Sequence, residues 1–288
     1  MDLAGEYAVE IISADSRQII KYLDIGTAKP TIEEQRKVSF HLIDLIEPGE
    51  RYSAVRFLVD SDRAVSDILN RGHIPLVVGG TGLYLRALTE GVVKIEENDN
   101  PELREKLQRQ MEELGPEEMH RRLAELDPDE AARIHPNNKV RVIRALEICE
   151  LAGQSKTTLV ASGAYKKSKY EYEYFCLVPP RDELYAIINK RVGIMIEQGL
   201  LTEIETLVAR GMGERIKRAN VIGYSELLDY LEKTCSLEDA LDLIRQNTRR
   251  YAKRQMTWLR NQVEGREFAD STGLRRAVTE SLVEFGPS

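Results

Sequence analysis

The sequence predicts an α/β fold with a parallel sheet, and three observations lead to this prediction. A short apolar run, Val9–Ile12, ends in a polar loop and reads as a buried strand. Apolar residues spaced three and four apart predict a helix that follows Tyr52-Ser53 and ends at Arg71-Gly72. A second apolar run, Ile74–Val78, turns sharply at Gly79–Gly82 into another predicted helix. Strands that alternate with helices are typical of a parallel sheet.

Further strands and helices complete the predicted order. Phe40–Leu45 and Tyr172–Val178 have strand character, residues 153–170 are predicted to form a loop, and the chain from Arg181 onward is mostly helical. Several helices between Pro101 and Leu151 carry proline at or near their first position. The four helices predicted in this stretch are Pro101–Leu114, Pro116–Leu126, Pro128–Ile134 and Asn138–Leu151.

The change of character after Gly91, marked by Asn98–Pro101, predicts a domain boundary. We expect an α/β core formed by residues 1–95 and 169–288. An all-helical insertion is expected at residues 96–168.

Composition and charge exclude several classes of protein. The chain of 288 residues has 41 basic and 48 acidic side chains, a net charge of −7 that at first argues against a polyanionic partner. No apolar run approaches the ~20 residues of a membrane span, and no signal peptide is recognisable. Three scattered cysteines show no disulfide or zinc pattern, and His41 and His73 are interpreted as structural. We therefore expect a cytoplasmic protein.

Two loops at predicted strand ends carry the candidate chemistry. Ser13–Gln18 follows the first strand, where the carboxylate of Asp15 could act as a general base, hold a metal, or simply cap a helix. Gly79–Gly82 lets backbone N–H groups approach an anion, or is merely a tight turn. No Gly-Lys-Ser/Thr follows this turn, so it is not a Walker A loop.

Basic residues gather at two places despite the negative net charge. Residues 243–263 contain no acidic residue, and Arg250 and Arg254 are four apart, on one helical face. Arg141 and Arg144 share a second helical face near the end of the insertion. Phosphate recognition explains these two patches better than a solvated helix surface does.

A set of motifs recurs in order along the chain, from about Glu10 to Arg260. They are Ile11–Gln18, Asp24–Pro30, His41–Asp44, Tyr52-Ser53, Val77–Tyr84, Arg133–Asn137, Arg141–Glu147, Gly223-Tyr224 and Lys253–Arg260. This set closely resembles the bacterial tRNA dimethylallyltransferases. The resemblance implies a P-loop kinase-like α/β core with an inserted helical domain, and a tRNA anticodon stem-loop held between them. It also implies transfer of a dimethylallyl group from dimethylallyl diphosphate to N6 of the adenine 3′ of the anticodon, with Mg²⁺ assisting the diphosphate.

The resemblance implies roles for the matching residues. Asp15 matches the general base for the adenine amine, and Thr81, with Gly80, matches a site beside the diphosphate, so Asp15 and Thr81 are the predicted catalytic residues. Asp15, Ser16, Arg17, Gln18 and Thr81 match the site of the extruded adenine. Contacts with tRNA are expected for Arg104, Val140, Arg141, Val142, Ile143, Arg144, Arg250, Lys253 and Arg254.

One part of the family pattern does not occur in the printed sequence. The family begins with a strand, expected in the middle of the sheet, and a Gly-Pro-Thr-Ala-x-Gly-Lys-Thr loop that cradles the diphosphate and helps hold Mg²⁺. We therefore expect no useful transferase activity from residues 1–288. Two interpretations are open: Met1 is an internal residue of a longer natural chain whose start has been wrongly placed, or the chain is a truncated relic. Asn220 stands where some relatives carry a diphosphate-binding arginine, so no catalytic role is expected for it.

Two other functions fit parts of the sequence. The α/β core alone suits a small-molecule or nucleotide kinase that binds ATP, although the basic helix with Trp258 and the helical insertion weigh against a small substrate. The unmatched diphosphate loop suits a catalytically inactive tRNA-binding module. Whether the protein is the transferase or one of these alternatives, we expect it to be a monomer.

Overall fold

The computed structural model describes residues 3, 6–93, 100–163 and 165–285. The chain divides into two compact units, the first formed by residues 1–89 and 169–288 and the second by residues 90–168. The predicted insertion, 96–168, lies within the second unit, and its first boundary falls outside the described residues.

The first part of the first unit alternates strands and helices. Its elements are β1 (Val9–Ser13), α1 (Ile32–Lys37), β2 (Phe40–His41), α2 (Ala54–Asn70), β3 (Ile74–Val78) and α3 (Gly82–Thr89). The three strands form one parallel sheet in the order β2-β1-β3. The predicted α/β fold with a parallel sheet is confirmed.

The second unit is mostly helical. Its elements are β4 (Val92–Val93), α4 (Pro101–Leu114), α5 (Pro116–Leu126), α6 (Pro128–Arg133), α7 (Lys139–Ala152), α8 (Lys156–Ala161) and β5 (Tyr165–Lys166). Asn100 and Asp127 cap α4 and α6, each followed by a proline whose missing N–H costs nothing at that position. Leu107, Met119 and Leu123 are among the fully buried side chains that form this unit's own core.

The chain then returns to the first unit. The remaining elements are β6 (Phe175–Leu177), α9 (Arg181–Glu197), α10 (Leu200–Ala209), α11 (Gly213–Ala219), α12 (Tyr224–Leu231), α13 (Leu237–Gln262), β7 (Arg266–Phe268) and α14 (Ser271–Phe285). β6 and β7 pair in parallel as a separate sheet. No described helix combines the length and apolar character needed to cross a membrane.

Two segments differ from their predictions for local reasons. The strand predicted at Phe40–Leu45 ends at His41, because Leu42 and Asp44 have φ values of 61° and 53°, which extended backbone does not allow. The loop predicted at residues 153–170 contains α8, whose N-terminus is capped by the Ser155 hydroxyl. The short strand β5 (Tyr165–Lys166) also lies within residues 153–170. The strand prediction for Phe40–Leu45 and the loop prediction for residues 153–170 are therefore wrong in these parts.

The main core of the first unit joins residues that are far apart in the sequence. Ile19, Ile20 and Leu23 pack in one cluster with side chains from α9 to α13. Tyr224 is fully buried there, where its hydroxyl donates to the Glu203 carboxylate and accepts from Gly26 N at 3.1 Å. This contact attaches the loop after β1 to the C-terminal helices.

A charged cluster stabilises the N-terminal part of β1. The buried Glu10 carboxylate accepts hydrogen bonds from His41 Nε2 at 2.6 Å, His73 Nδ1 at 2.8 Å and the Arg71 guanidinium at 2.8–3.0 Å. Burial raises the pKa of Glu10, but these hydrogen bonds and the Arg71 charge outweigh burial and hold the pKa below its usual value. The two histidines interpreted as structural therefore both bond to one carboxylate.

Because the pKa of Glu10 is lower in the folded than in the unfolded chain, its contribution to stability is present above the unfolded value and is lost as the pH falls through the folded value. We expect urea unfolding to show a smaller loss of stability in Glu10→Gln than in the wild type between neutral pH and about pH 3. Equal losses in both proteins would contradict this role.

Candidate active site

The site is built at the carboxyl ends of two adjacent parallel strands, β1 and β3. Ala14 N donates to Val78 O at 2.8 Å, Thr81 N donates to Ala14 O at 3.1 Å, and Ser16 N donates to Thr81 Oγ1 at 2.9 Å. These bonds join the two loops that the sequence singled out. Ligands of parallel sheets bind at this end of the strands.

Asp15 lies at the start of the first loop, partly exposed. Its Oδ1 accepts a hydrogen bond from Arg17 N at 2.7 Å, and residues 16–19 form turns. The alternative that Asp15 caps a helix is therefore wrong, because no helix begins here. Among the described residues nothing hydrogen-bonds the second carboxylate oxygen, which leaves it available to a substrate.

Gln18 has a defined amide orientation. Its Oε1 accepts from Ser13 Oγ at 2.9 Å, and its Nε2 donates to Ala28 O at 3.1 Å. A cavity of about 280 Å³ opens beside it, with Ser13, Asp15 and Gln18 on its polar side and Ile11, Phe40 and Val78 among its apolar lining. An apolar wall with a few polar groups suits a flat ring with polar edges.

Helix α13 closes around the glycine-rich turn. Gln255 Nε2 donates to Gly80 O at 2.9 Å. A Cβ at Gly80 would lie 2.0 Å from Gln255 Nε2, and a Cβ at Gly82 would lie 2.6 Å from the Trp258 ring. Only residues without a side chain allow the helix to approach this closely. The turn that is predicted to bind an anion is therefore also a packing site for α13.

Gly79 approaches the backbone of the neighbouring loop even more closely. A Cβ there would lie 2.3 Å from Ala14 O. We expect Gly79→Ala to lower the free energy of unfolding by about 2 kcal/mol or more. Gly193→Ala is the matched control, because nothing lies within 4 Å of its added Cβ in α9, and it should stabilise the helix by about 0.5–1 kcal/mol. Urea unfolding of both variants measures the difference.

Arg191, Tyr84 and Tyr251 lie within electrostatic range of Asp15, and none of them is among the predicted site residues. Partial burial lowers the pKa of Arg191, and the Asp15 charge opposes that effect. Burial of Tyr84 raises its pKa to about 12, with smaller effects from Arg17 and Asp15. Arg191 lies in the middle of α9, more than 170 positions from Asp15 in the sequence. The spacing of residues along a helix does not indicate that Arg191 is near Asp15.

The basic side chains predicted on α13 are largely free of partners. Arg250, Lys253 and Arg254 are exposed and form no ion pair with any residue that the structure describes. Arg249 instead donates to Asn189 Oδ1 at 2.7 Å. Positive charge therefore remains available on this helix for an anionic partner.

The other predicted tRNA contacts lie in the second unit. Val140 is 71% exposed at the start of α7 and Arg141 is exposed one residue later. Arg144 Nη1 donates to the fully buried Glu147 carboxylate at 2.7 Å, and Arg104 is half-buried on α4. Val142 and Ile143, also predicted to contact tRNA, are buried in the core of the second unit at 0% and 8% exposure, so their side chains are not available to a partner. The remaining predicted residues fall into two groups, one in each unit.

The parallel sheet, the paired strand-end loops and the basic helix together define a family. The family model described as IPP transferase matches residues 18–262, and the chain belongs to that family. The resemblance inferred from the motifs is confirmed.

Individual relatives agree with this assignment. A tRNA dimethylallyltransferase 1 of Syntrophotalea carbinolica is 44% identical over 283 residues, which cover 98% of this chain and 90% of the relative. A tRNA dimethylallyltransferase of Thermotoga maritima is 43% identical over 269 residues, covering 92% and 85%.

Solved structures show the same similarity. A tRNA isopentenylpyrophosphate transferase from Bacillus halodurans has 37% identity and a TM-score of 0.66, covering 98% of this chain and 90% of its own. A eukaryotic dimethylallyltransferase acting on tRNA has 28% identity and a TM-score of 0.79, covering 99% and 75%.

Proposed function

We propose that this chain modifies tRNA by transferring a dimethylallyl group from dimethylallyl diphosphate to N6 of the adenine 3′ of the anticodon, with release of diphosphate. Membership of the IPP transferase family and the names of the relatives support the reaction class. The observation that carries the proposal is the pairing of the Asp15 loop with Thr81 at the ends of β1 and β3.

Asp15 is the proposed general base. An aromatic amine is a poor nucleophile until a base accepts its proton. The Arg17 N–H holds one oxygen of Asp15, so the other can accept the proton from adenine N6. As the N6–C1 bond forms, the bond between C1 of the dimethylallyl group and the diphosphate oxygen breaks, and diphosphate leaves with the bonding electrons.

The residues around Asp15 are assigned to the adenine and to the diphosphate. Gln18 Oε1 and Ser13 Oγ lie beside the apolar wall of the cavity, where each can accept a hydrogen bond from the edge of an extruded base, because their own donors are bonded within the protein. Thr81 and Gly80 form the proposed diphosphate side. Arg17 and Arg191 are cations near Asp15 that can balance the leaving group's charge, whereas Asn220 ends α11 with φ 48° and supplies none.

Mg²⁺ is the proposed metal cofactor. No cluster of three His, Cys, Asp or Glu side chains suited to a metal occurs within the described ranges. The site instead offers the hydroxyl of Thr81 near the Asp15 carboxylate, which fits an ion held chiefly by substrate phosphates and water, with the free oxygen of Asp15 left for the N6 proton. When bound, Mg²⁺ would neutralise charge on the diphosphate.

The RNA contacts are proposed in two groups. The exposed arginines and lysine of α13 would contact the phosphate backbone, as would Arg104, Arg141 and Arg144 of the second unit, and the exposed Val140 would also contact the RNA. Three free cysteines and a tRNA substrate support a cytoplasmic location.

A labelled transfer assay tests the proposal. Label from dimethylallyl diphosphate should appear in an unmodified tRNA only when adenine follows the anticodon. Retention of the tRNA without transfer would favour the inactive RNA-binding alternative, and absence of both would overturn the proposed function.

A further inference from the structure

Helix α13 carries two kinds of side chain along one stretch. Gln255 Nε2 donates to Gly80 O, and the Trp258 ring lies so close to Gly82 that an added Cβ there would be 2.6 Å from it. Lys253 and Arg254, the residues immediately before Gln255, are exposed and basic. The same helix therefore contacts the turn with one side and offers positive charge on another.

The glycine-rich turn, residues 79–82, determines the position of the Asp15 loop. Thr81 follows Gly80 directly, and Thr81 Oγ1 accepts the hydrogen bond from Ser16 N at 2.9 Å. Thr81 N is bound to Ala14 O at 3.1 Å. A displacement of Gly80 would therefore move Thr81 and the residues on both sides of Asp15.

A second set of contacts runs parallel to this one. The Arg254 guanidinium lies 5.7 Å from the centroid of the Tyr251 ring. The Tyr251 hydroxyl interacts with the side chains of Thr81 and Gln255. The side chain of Tyr251 thus connects the exposed Arg254 to Thr81.

We propose that Gln255 is a positioning residue that couples RNA binding on α13 to the geometry of the Asp15–Thr81 site. This inference rests on the proposed function. In this role the Gln255 amide holds Gly80, and through it Thr81, at the distance from Asp15 that the reaction requires. A misplacement of about 1 Å in such a site can cost about 100-fold in rate.

Gln255→Met and Gln255→Glu test the proposal. Both variants keep the side-chain length, and both lose the donor to Gly80 O. Gln246→Glu is the matched control, because it adds the same charge at an exposed position of the same helix. The chain has a single tryptophan, Trp258, so its fluorescence reports directly on the contact between α13 and the turn.

We expect Gln255→Met to bind a synthetic anticodon stem-loop with wild-type affinity in filter retention. Its transfer rate at saturating RNA should fall by about 10-fold or more, with KM for RNA within about twofold. The change in Trp258 emission on RNA binding should be present in the wild type and in Gln246→Glu, and should be lost in both Gln255 variants.

The outcomes separate the two proposals. If the wild type retains no stem-loop, the proposed function fails and the coupling fails with it. If RNA is retained and the Trp258 response of Gln255→Met equals that of the wild type, the proposed function stands and the positioning role is overturned. A higher KM for RNA in Gln255→Met with an unchanged transfer rate at saturating RNA would likewise overturn the positioning role, because Gln255 would then act as an ordinary RNA contact.

Discussion

Replacing Asp15 with asparagine should lower the rate of dimethylallyl transfer by about 100-fold or more. Asparagine keeps an oxygen that can accept the hydrogen bond from Arg17 N, so the loop should keep its shape, but the amide cannot take the N6 proton. Single-turnover transfer at saturating tRNA measures the chemical step, and filter retention measures RNA affinity, which should change little.

Asp67→Asn provides the matched control for this substitution. Asp67 is exposed on α2, outside the site, and its replacement should leave the transfer rate unchanged. A rate for Asp15→Asn within about threefold of the control would show that Asp15 is not the base. A loss of RNA retention in step with the rate would instead indicate that Asp15 chiefly holds the loop together.

Lys29→Met should cause the largest loss of stability, about 3 kcal/mol in the free energy of unfolding. The Lys29 side chain is 2% exposed, and Nζ donates to Asp24 and Asp44, each at 2.6 Å, and to Ile20 O at 2.9 Å. Its loss leaves two carboxylates close together and a buried carbonyl unpaired. Urea unfolding measures the change.

Lys190→Met controls for the general effect of removing a lysine. Lys190 is exposed on α9, so its replacement should change stability by less than about 0.5 kcal/mol. If Lys29→Met also falls within that range, the buried lysine does not organise its loop. Because Gln18 donates to the Ala28 carbonyl, a real loosening of this loop should reach the adenine side of the site.

The local parts of this structure could be predicted from the sequence. The apolar runs gave β1 and β3 to within a residue, and the proline and cap residues gave the starts of α4, α5 and α6. The two site loops were recognisable because a strand followed by small or polar residues is a local pattern. The position of Asp15 beside Thr81 then follows from the parallel pairing of their strands.

The distant contacts could not be predicted in this way. Gln255 and Gly80 are 175 positions apart, and Arg17 and Ala219 are 202 apart. Periodicity reports which face of a helix is buried and says nothing about which distant turn it meets. The early end of β2 could not be predicted either. It results from the left-handed backbone of Leu42 and Asp44, and neither residue type indicates that conformation strongly in an apolar run.

The division of the first unit by the second has a consequence for how the chain folds. The core that contains Ile19 and Leu23 also needs Leu200, Tyr224 and Ile244, so it cannot close until the C-terminal helices have been synthesised. The second unit has its own core and a continuous chain segment, and can form first on the ribosome. A compact second unit shortens the effective loop that the first core must close and so lowers its entropic cost. Substitutions in the core of α4, α5 and α7 should therefore slow the folding of a site to which they contribute no atom.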